Sequence, residues 1–459
     1  MKLKVLNIIL GLFVAACSIT SCLHSDAVEY EFSSNASITA FSITDSIITR
    51  YPAVVNGKDT TLSTAIVGAD YPFVINQNEG QIYNPDSLPV GTDVSKVAIS
   101  ITADSYVYIV AETDSLWEEK DSLNFEKPIQ FKVLAENGTF GRTYTAKINV
   151  HKQDPEVMGW QKLDGNFSTD ITEQKAVYLN NHIYVFAHQD GQTVVTTTES
   201  TDGKNWSAPV HIDTPTEADI TSAMVWGNQL YILAGNELYA SEDGIVWTKV
   251  ETSTSFQKLI ANVYSNKTQK IIGIDSENHY MESHDGMTWE VYGEMPAGFP
   301  TNHLSYASYA LDTNKDINRI VVIGNHETSS DSITVAWAQL DSENEWIDLE
   351  APDKSDGCPN LENMSMIRYN NTLYAFGGNG QRKGAIAAFS QLFISKDNGI
   401  TWQTSPEKIA FPEEFQTKYE ESDGHYSCIV DENHFIWIMW SKTGEVWRGR
   451  INKLGFEKQ

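Results

Sequence analysis

Six carboxylates in the C-terminal two-thirds of the chain, Asp170, Glu173, Glu217, Asp219, Glu362 and Asp423, lie in polar segments between apolar runs. Two of them facing one pocket could cleave a glycosidic bond. With 61 Asp plus Glu in 459 residues, however, some acids reach any surface by chance. Metal chemistry has less support. The segment Asp312 to Asn318 starts like a calcium loop, but Ile317 occupies the glycine position and Ile323 the bidentate glutamate position, so it reads as a strand-connecting turn. The 11 His show no HxxxH or HExxH spacing, and no metal or cofactor is expected. The loop Gly377 to Gly384 is basic in an acidic chain and lacks the GK[ST] ending of a phosphate loop. Its Arg382, with His188, Asn325, His326, Asn363, His425 and Trp440, forms a candidate ligand set of planar polar groups beside an aromatic, suited to a glycan or a protein loop.

The elements that must position these residues are written in tryptophan. STDGKNW (Ser200, Asp202, Trp206), SEDGIVW (Ser241, Asp243, Trp247), SHDGMTW (Ser283, Asp285, Trp289) and SKDNGITW (Ser395, Asp397, Gly399, Trp402) each follow a pair of apolar strands, and DSENEW ending at Trp346 is a degenerate copy. Spacings of 41 and 42 residues between the first three Trp fit four-stranded propeller blades. Second strands start near His182, Gln229, Lys270, Arg319, Thr372 and Phe435, which predicts six units. The sixth reaches only a third strand, Glu445 to Ile451. A strand around Gly159 to Leu163 supplies its fourth and closes the ring.

These motifs resemble the Asp-box of sialidases and sortilin-type receptors. The resemblance implies a structural turn between third and fourth strands, with Ser and Asp capping backbone groups, Gly at positive φ and Trp between blades. It implies a ligand face at the opposite end. Sialidase chemistry itself would need three Arg clamping a carboxylate. From residue 157 onward only five Arg are present, with no Arg-Ile-Pro element before the first box, so no catalytic residue carries over.

Residues 23–152 contain strand-like runs from Ala36, Lys96, Ser105, Ile129 and Arg142 and predict an immunoglobulin-like β-sandwich, followed by a short linker and a propeller over 157–459. Residues 1–22 read as a secretory signal: Lys2 and Lys4 precede an apolar run, Val5 to Ala16, too short to span a bilayer. Cys22 is the expected lipid anchor, preferred to Cys17 because it leaves a complete apolar core and a polar region before it.

NASITAFSI after this lipobox, Tyr71 to Val97 and Gly141 to Glu156 resemble a family of Bacteroidetes cell-envelope lipoproteins with an immunoglobulin- or cadherin-like sandwich and a C-terminal propeller. The resemblance implies outer-membrane location and architecture and no reaction. Asp-Ser/Thr triplets such as Asp45-Ser46-Ile47 and Asp331-Ser332-Ile333 resemble O-glycosylation acceptors of those bacteria.

The net charge of -29 argues against nucleic acid and anionic lipid as partners, so the membrane is reached through the lipid alone. The expectation is an all-β, monomeric, non-catalytic binding protein for a glycan or an envelope or extracellular protein, with a glycan hydrolase as the rival. Cys358 and Cys428 are expected as reduced thiols.

Overall fold

The computed structural model describes residues 31–55, 58–325 and 334–456. Cys17, Cys22, His326 and the Asp331 triplet lie outside the described residues. The chain divides at Gln153/Asp154 into two units.

In the N-terminal unit a three-stranded sheet (Ile38–Ile43, Val97–Ala103, Ser122–Leu123) and a six-stranded sheet centred on Phe140–Lys147 and Ile129–Leu134 share one core. A bulge between Ile38 and Ala40 lets Ile38, Phe41 and Ile43 turn to the same face, where Phe41 meets Phe131 and Phe125 edge-on. Ser46–Val55 and Lys58–Val67 form a separate two-stranded ribbon that the sequence did not announce.

The C-terminal unit is a β-propeller domain in which six antiparallel sheets of four strands follow one another among the described residues. Their second strands are His182–Gln189, Gln229–Ala234, Gln269–Asp275, Asn318–Asn325, Thr372–Phe376 and Ile436–Trp440. In the sixth sheet Met158–Leu163 pairs antiparallel with Val446–Ile451, residue 158 opposite 451. The largely apolar second strands are explained by six cores, one between each successive pair of sheets, the last joining sheet six to sheet one through Leu163, Trp437, Ile183 and Val185. A strand covered on both faces has no polar side to present. Each core takes one Trp from a fourth strand or the turn before it, Trp160, Trp206, Trp247, Trp289, Trp346 or Trp402, and four of the cores hold other Trp as well.

The turns before these Trp show how. In sheet two the Gly244 N–H donates to Ser241 Oγ at 2.9 Å, the Ile245 and Val246 N–H groups donate to Asp243 Oδ1 at 2.9 Å each, and Trp247 Nε1 donates to Gly244 O at 3.0 Å. Sheets three and five repeat the pattern with Ser283, Asp285 and Trp289, and with Ser395, Asp397, Gly399 and Trp402. Gly244 has φ +76, and a Cβ there would lie 2.8 Å from the Tyr184 ring, so chirality and packing both demand glycine. The first copy departs: Ser200 Oγ bonds Glu432 at 3.2 Å and Asp202 accepts from Asn205, while Trp206 Nε1 still donates to Gly203 O at 3.1 Å.

In the degenerate copy Glu343 stands at the glycine position. Its carbonyl accepts from Lys270 Nζ at 3.3 Å, and the buried Trp346 Nε1 has no partner among the described residues. Asp312 to Asn318 forms the turn before Asn318–Asn325, with Asp312 ion-paired to Lys315 at 2.7 Å. Cys358 and Cys428 are free thiols whose pKa values burial pushes up.

Candidate functional site

Because hairpins alternate, the linkers between sheets and the loops after second strands all emerge at the end opposite the box turns. A pocket of about 920 Å³ opens there, built by four segments. They are the start and end of sheet four's inner hairpin (His303, Asn325), the linker into sheet five (Asn360, Glu362, Asn363), the loop after its second strand (Asn379, Gln381) and the linker into sheet six (Tyr419, Glu420, Asp423). The last linker holds an eight-residue helix, Glu414–Glu421, which the sequence reading missed because six of its eight residues are polar. Its buried Phe415 and Tyr419 dock it on the core between sheets five and six.

Backbone close approach fixes the rim. Gly378 N–H donates to Glu362 O at 2.7 Å, and a Cβ on Gly378 would lie 2.0 Å from Tyr419 Oη. Asn363 Nδ2 donates to Gly424 O at 3.0 Å, and Tyr426 Oη donates to Asn363 O at 2.7 Å. Tyr419 Oη lies 3.5 Å from Glu362 Oε2. Burial, then the Glu362 charge, pushes its pKa up to about 12, so it remains a hydroxyl donor. His303, Asn363 and Asp423 have φ of 50, 46 and 51, a left-handed conformation that non-glycine residues adopt at a cost and that gathers at ligand sites.

Of the sequence-nominated residues, Asn325 and Asn363 meet in this pocket with Glu362 and Asp423, the latter ion-paired with Lys442. His425 lines a second, central cavity of about 690 Å³, bordered by the innermost strands of all six sheets. His188 lies elsewhere, Nδ1 3.3 Å from Glu173 and Nε2 3.4 Å from Glu217. Two nominations are corrected. Trp440 is fully buried among Phe389, Phe415 and Tyr426, because both faces of its strand are covered. Arg382 turns away from the pocket and donates to Ser355 O and Trp402 O at 2.9 and 2.5 Å, because strand alternation from Gln381 places it on the other side. His303, Asn360, Tyr419 and Glu420 were missed, and of the singled-out loop 377–384 it is Asn379 and Gln381 that line the pocket. The left-handed backbone at His303 leaves no mark in its residue type. Among the described residues no group of three or more His, Cys, Asp or Glu is placed to hold a metal ion.

No curated protein matches the sequence. Similar solved structures include an α-L-arabinanase of Penicillium chrysogenum complexed with arabinobiose (12% identity, TM-score 0.39, 63% of this chain and 98% of that one). A DUF4623 family protein from Bacteroides eggerthii is 12% identical, with TM-score 0.34, over 90% of this chain and 98% of its own. An α-L-arabinofuranosidase of Fusarium graminearum is 11% identical, with TM-score 0.35, over 64% and 97%. Likeness at this level carries nothing about chemistry. The DUF6242 beta propeller domain matches residues 154–459, and the N-terminal domain of the same family, a domain of unknown function, matches residues 28–148. The chain therefore belongs to the DUF6242 family, with a β-propeller as its C-terminal domain.

Proposed function

We propose that the chain is a lipid-anchored envelope protein whose propeller binds a glycan, without turnover, in the pocket between sheets four, five and six. The observation that carries this reading is the pocket's lining: five side-chain amides, three carboxylates, an imidazole and a phenol held as a donor. Amides and carboxylates on a fixed rim pair with adjacent sugar hydroxyls, while a protein epitope would want more apolar area. We further infer six blades closed by Met158–Leu163, an immunoglobulin-like sandwich ahead of them and an Asp-box role for the repeated turns. Six inter-sheet cores and a cavity bordered by six inner strands support the count. The shared two-sheet core supports the sandwich. Anchoring at Cys22 rests on the lipobox alone and is tested by lipid labelling, which Cys22→Ser abolishes and Cys17→Ser leaves intact.

A glycan array followed by calorimetry tests the binding. Gln381→Ala with Glu362→Gln weakens binding at least tenfold, and Arg382→Ala leaves it unchanged. Retention of affinity in the double variant places the ligand elsewhere. Release of reducing ends from a bound glycan, abolished by Glu362→Gln or Asp423→Asn, replaces this reading with a hydrolase using those carboxylates.

A further inference from the structure

The central cavity differs from the outer pocket in charge. The outer lining carries Glu362, Glu420 and Asp423 and no Lys or Arg, whereas the central lining carries Lys175 and Lys258 against Glu173 alone. In a chain with nearly twice as many acids as bases, two lysines facing inward run against composition. Lys258 Nζ donates to the Thr301 carbonyl. The Lys175 amine has no hydrogen bond or ion pair among the described residues, and burial pushes its pKa down against smaller opposite pulls from Cys428 and Asp219. The carboxylates nearby are engaged: Asp219 Oδ1 accepts from the Thr221 N–H and hydroxyl at 3.0 and 2.7 Å, and Glu173 lies against His188. Ser427, 5% exposed and lining the same cavity, has a buried hydroxyl with no partner. The Lys175 amine, partly exposed at the cavity wall, and the buried, unpartnered Ser427 hydroxyl are both donors, and such a hydroxyl is costly to leave unpaired inside protein.

The two cavities share His303, Asn363 and Gly424, all with left-handed backbone, at φ 50, 46 and 79. Ser427 lies three residues beyond the shared Gly424, and Lys175 follows the bulge at Glu173, each further along the innermost strand of its sheet. A chain of sugar units seated in the outer pocket can therefore place a terminal group on these donors.

We propose that the central cavity is an anion subsite, in which Lys175 and the Ser427 hydroxyl take the carboxylate of a uronic-acid unit whose neighbouring sugars occupy the outer pocket. This rests on the glycan reading above and narrows it to acidic oligosaccharides. Outer carboxylates then select sugar hydroxyls and repel a misplaced acid, while the inner amine attracts the one acid that fits, so charge sets the direction of the bound chain.

Calorimetry with the full chain tests it, using galacturonate and glucuronate trisaccharides against their methyl esters, which keep shape and lose charge. In at least one of the two series the acid binds about tenfold or more tighter than its ester. Lys175→Met abolishes the preference, Lys175→Arg keeps it, and Ser427→Ala reduces it about threefold, with melting temperatures matched to the parent. Equal affinity for acid and ester in both series, or a preference that survives Lys175→Met, overturns the subsite while ester binding leaves the outer pocket intact. Inorganic phosphate or acetate binding Lys175 as tightly as the trisaccharide assigns a free-anion site and overturns the glycan source. Failure of acids, esters and neutral glycans alike removes the glycan reading itself.

Discussion

The box turns of sheets two, three and five repeat the same bonds within eight residues, whereas the linkers at the opposite end run from six residues (212–217 and 250–255) to twenty-one (405–425). At the box end Ser, Asp and Trp consume the polar groups of their own turn, leaving little to offer a ligand. At the linker end the extra length entering sheets five and six turns amides and carboxylates into open space, and the pocket forms there. Repetition closes the fold, and departure from it makes a surface that can recognise something.

This contrast predicts a graded set of effects. Trp402→Ala empties the core between sheets four and five and costs about 3–5 kcal/mol in urea unfolding of the propeller. Trp346→Ala, whose indole N–H has no partner to lose, costs about 1 kcal/mol less. Equal losses would mean that the Trp-to-Gly hydrogen bond contributes nothing. Lys270→Met breaks the Lys270–Glu282 pair, each side chain 1% exposed, and costs about 3 kcal/mol or more. Adding Glu282→Leu restores most of it, because it removes the carboxylate left buried and unpaired.

Ser283→Ala removes the acceptor for Gly286 N–H and costs about 1–2 kcal/mol. The backbone N–H groups of Thr288 and Met287 hold the Asp285 pKa down to about 2. Its folded pKa lies below the ordinary carboxylate value near 3.8, so its contribution is full above that value and is lost as pH falls through about 2. Asp285→Asn flattens this part of the acid-unfolding curve, read as urea midpoints between pH 5 and pH 2. At the linker end Gln381→Ala and Glu420→Ala, both exposed, move stability by no more than about 0.5 kcal/mol. A larger change would show that the pocket rim also holds the fold.

The same contrast explains what could be read in the sequence. Box turns are local: Ser241, Asp243, Gly244 and Trp247 find one another within seven residues, so spacing alone states the geometry. Sheet six's completion by Met158–Leu163 was legible because Trp160 imitates the other fourth-strand Trp. The pocket is assembled from four distant segments, and of the nominated residues Asn325, Asn363, Glu362 and Asp423 line it. Trp440 failed because an apolar strand covered on both faces presents no outward residue, and Arg382 because one step of alternation decides which side a residue takes. Tyr419 rides on a mostly polar helix whose docking depends on a core that sequence spacing does not reveal.

The pairing of Met158–Leu163 with Val446–Ile451 also sets a clock. The first of these strands leaves the ribosome nearly three hundred residues before its partner, roughly 15–60 s at ordinary synthesis rates. Through that interval its edge is open and Trp160 lacks the core between sheets five and six. Protection of this strand until synthesis ends is therefore a requirement of the cell that makes the protein.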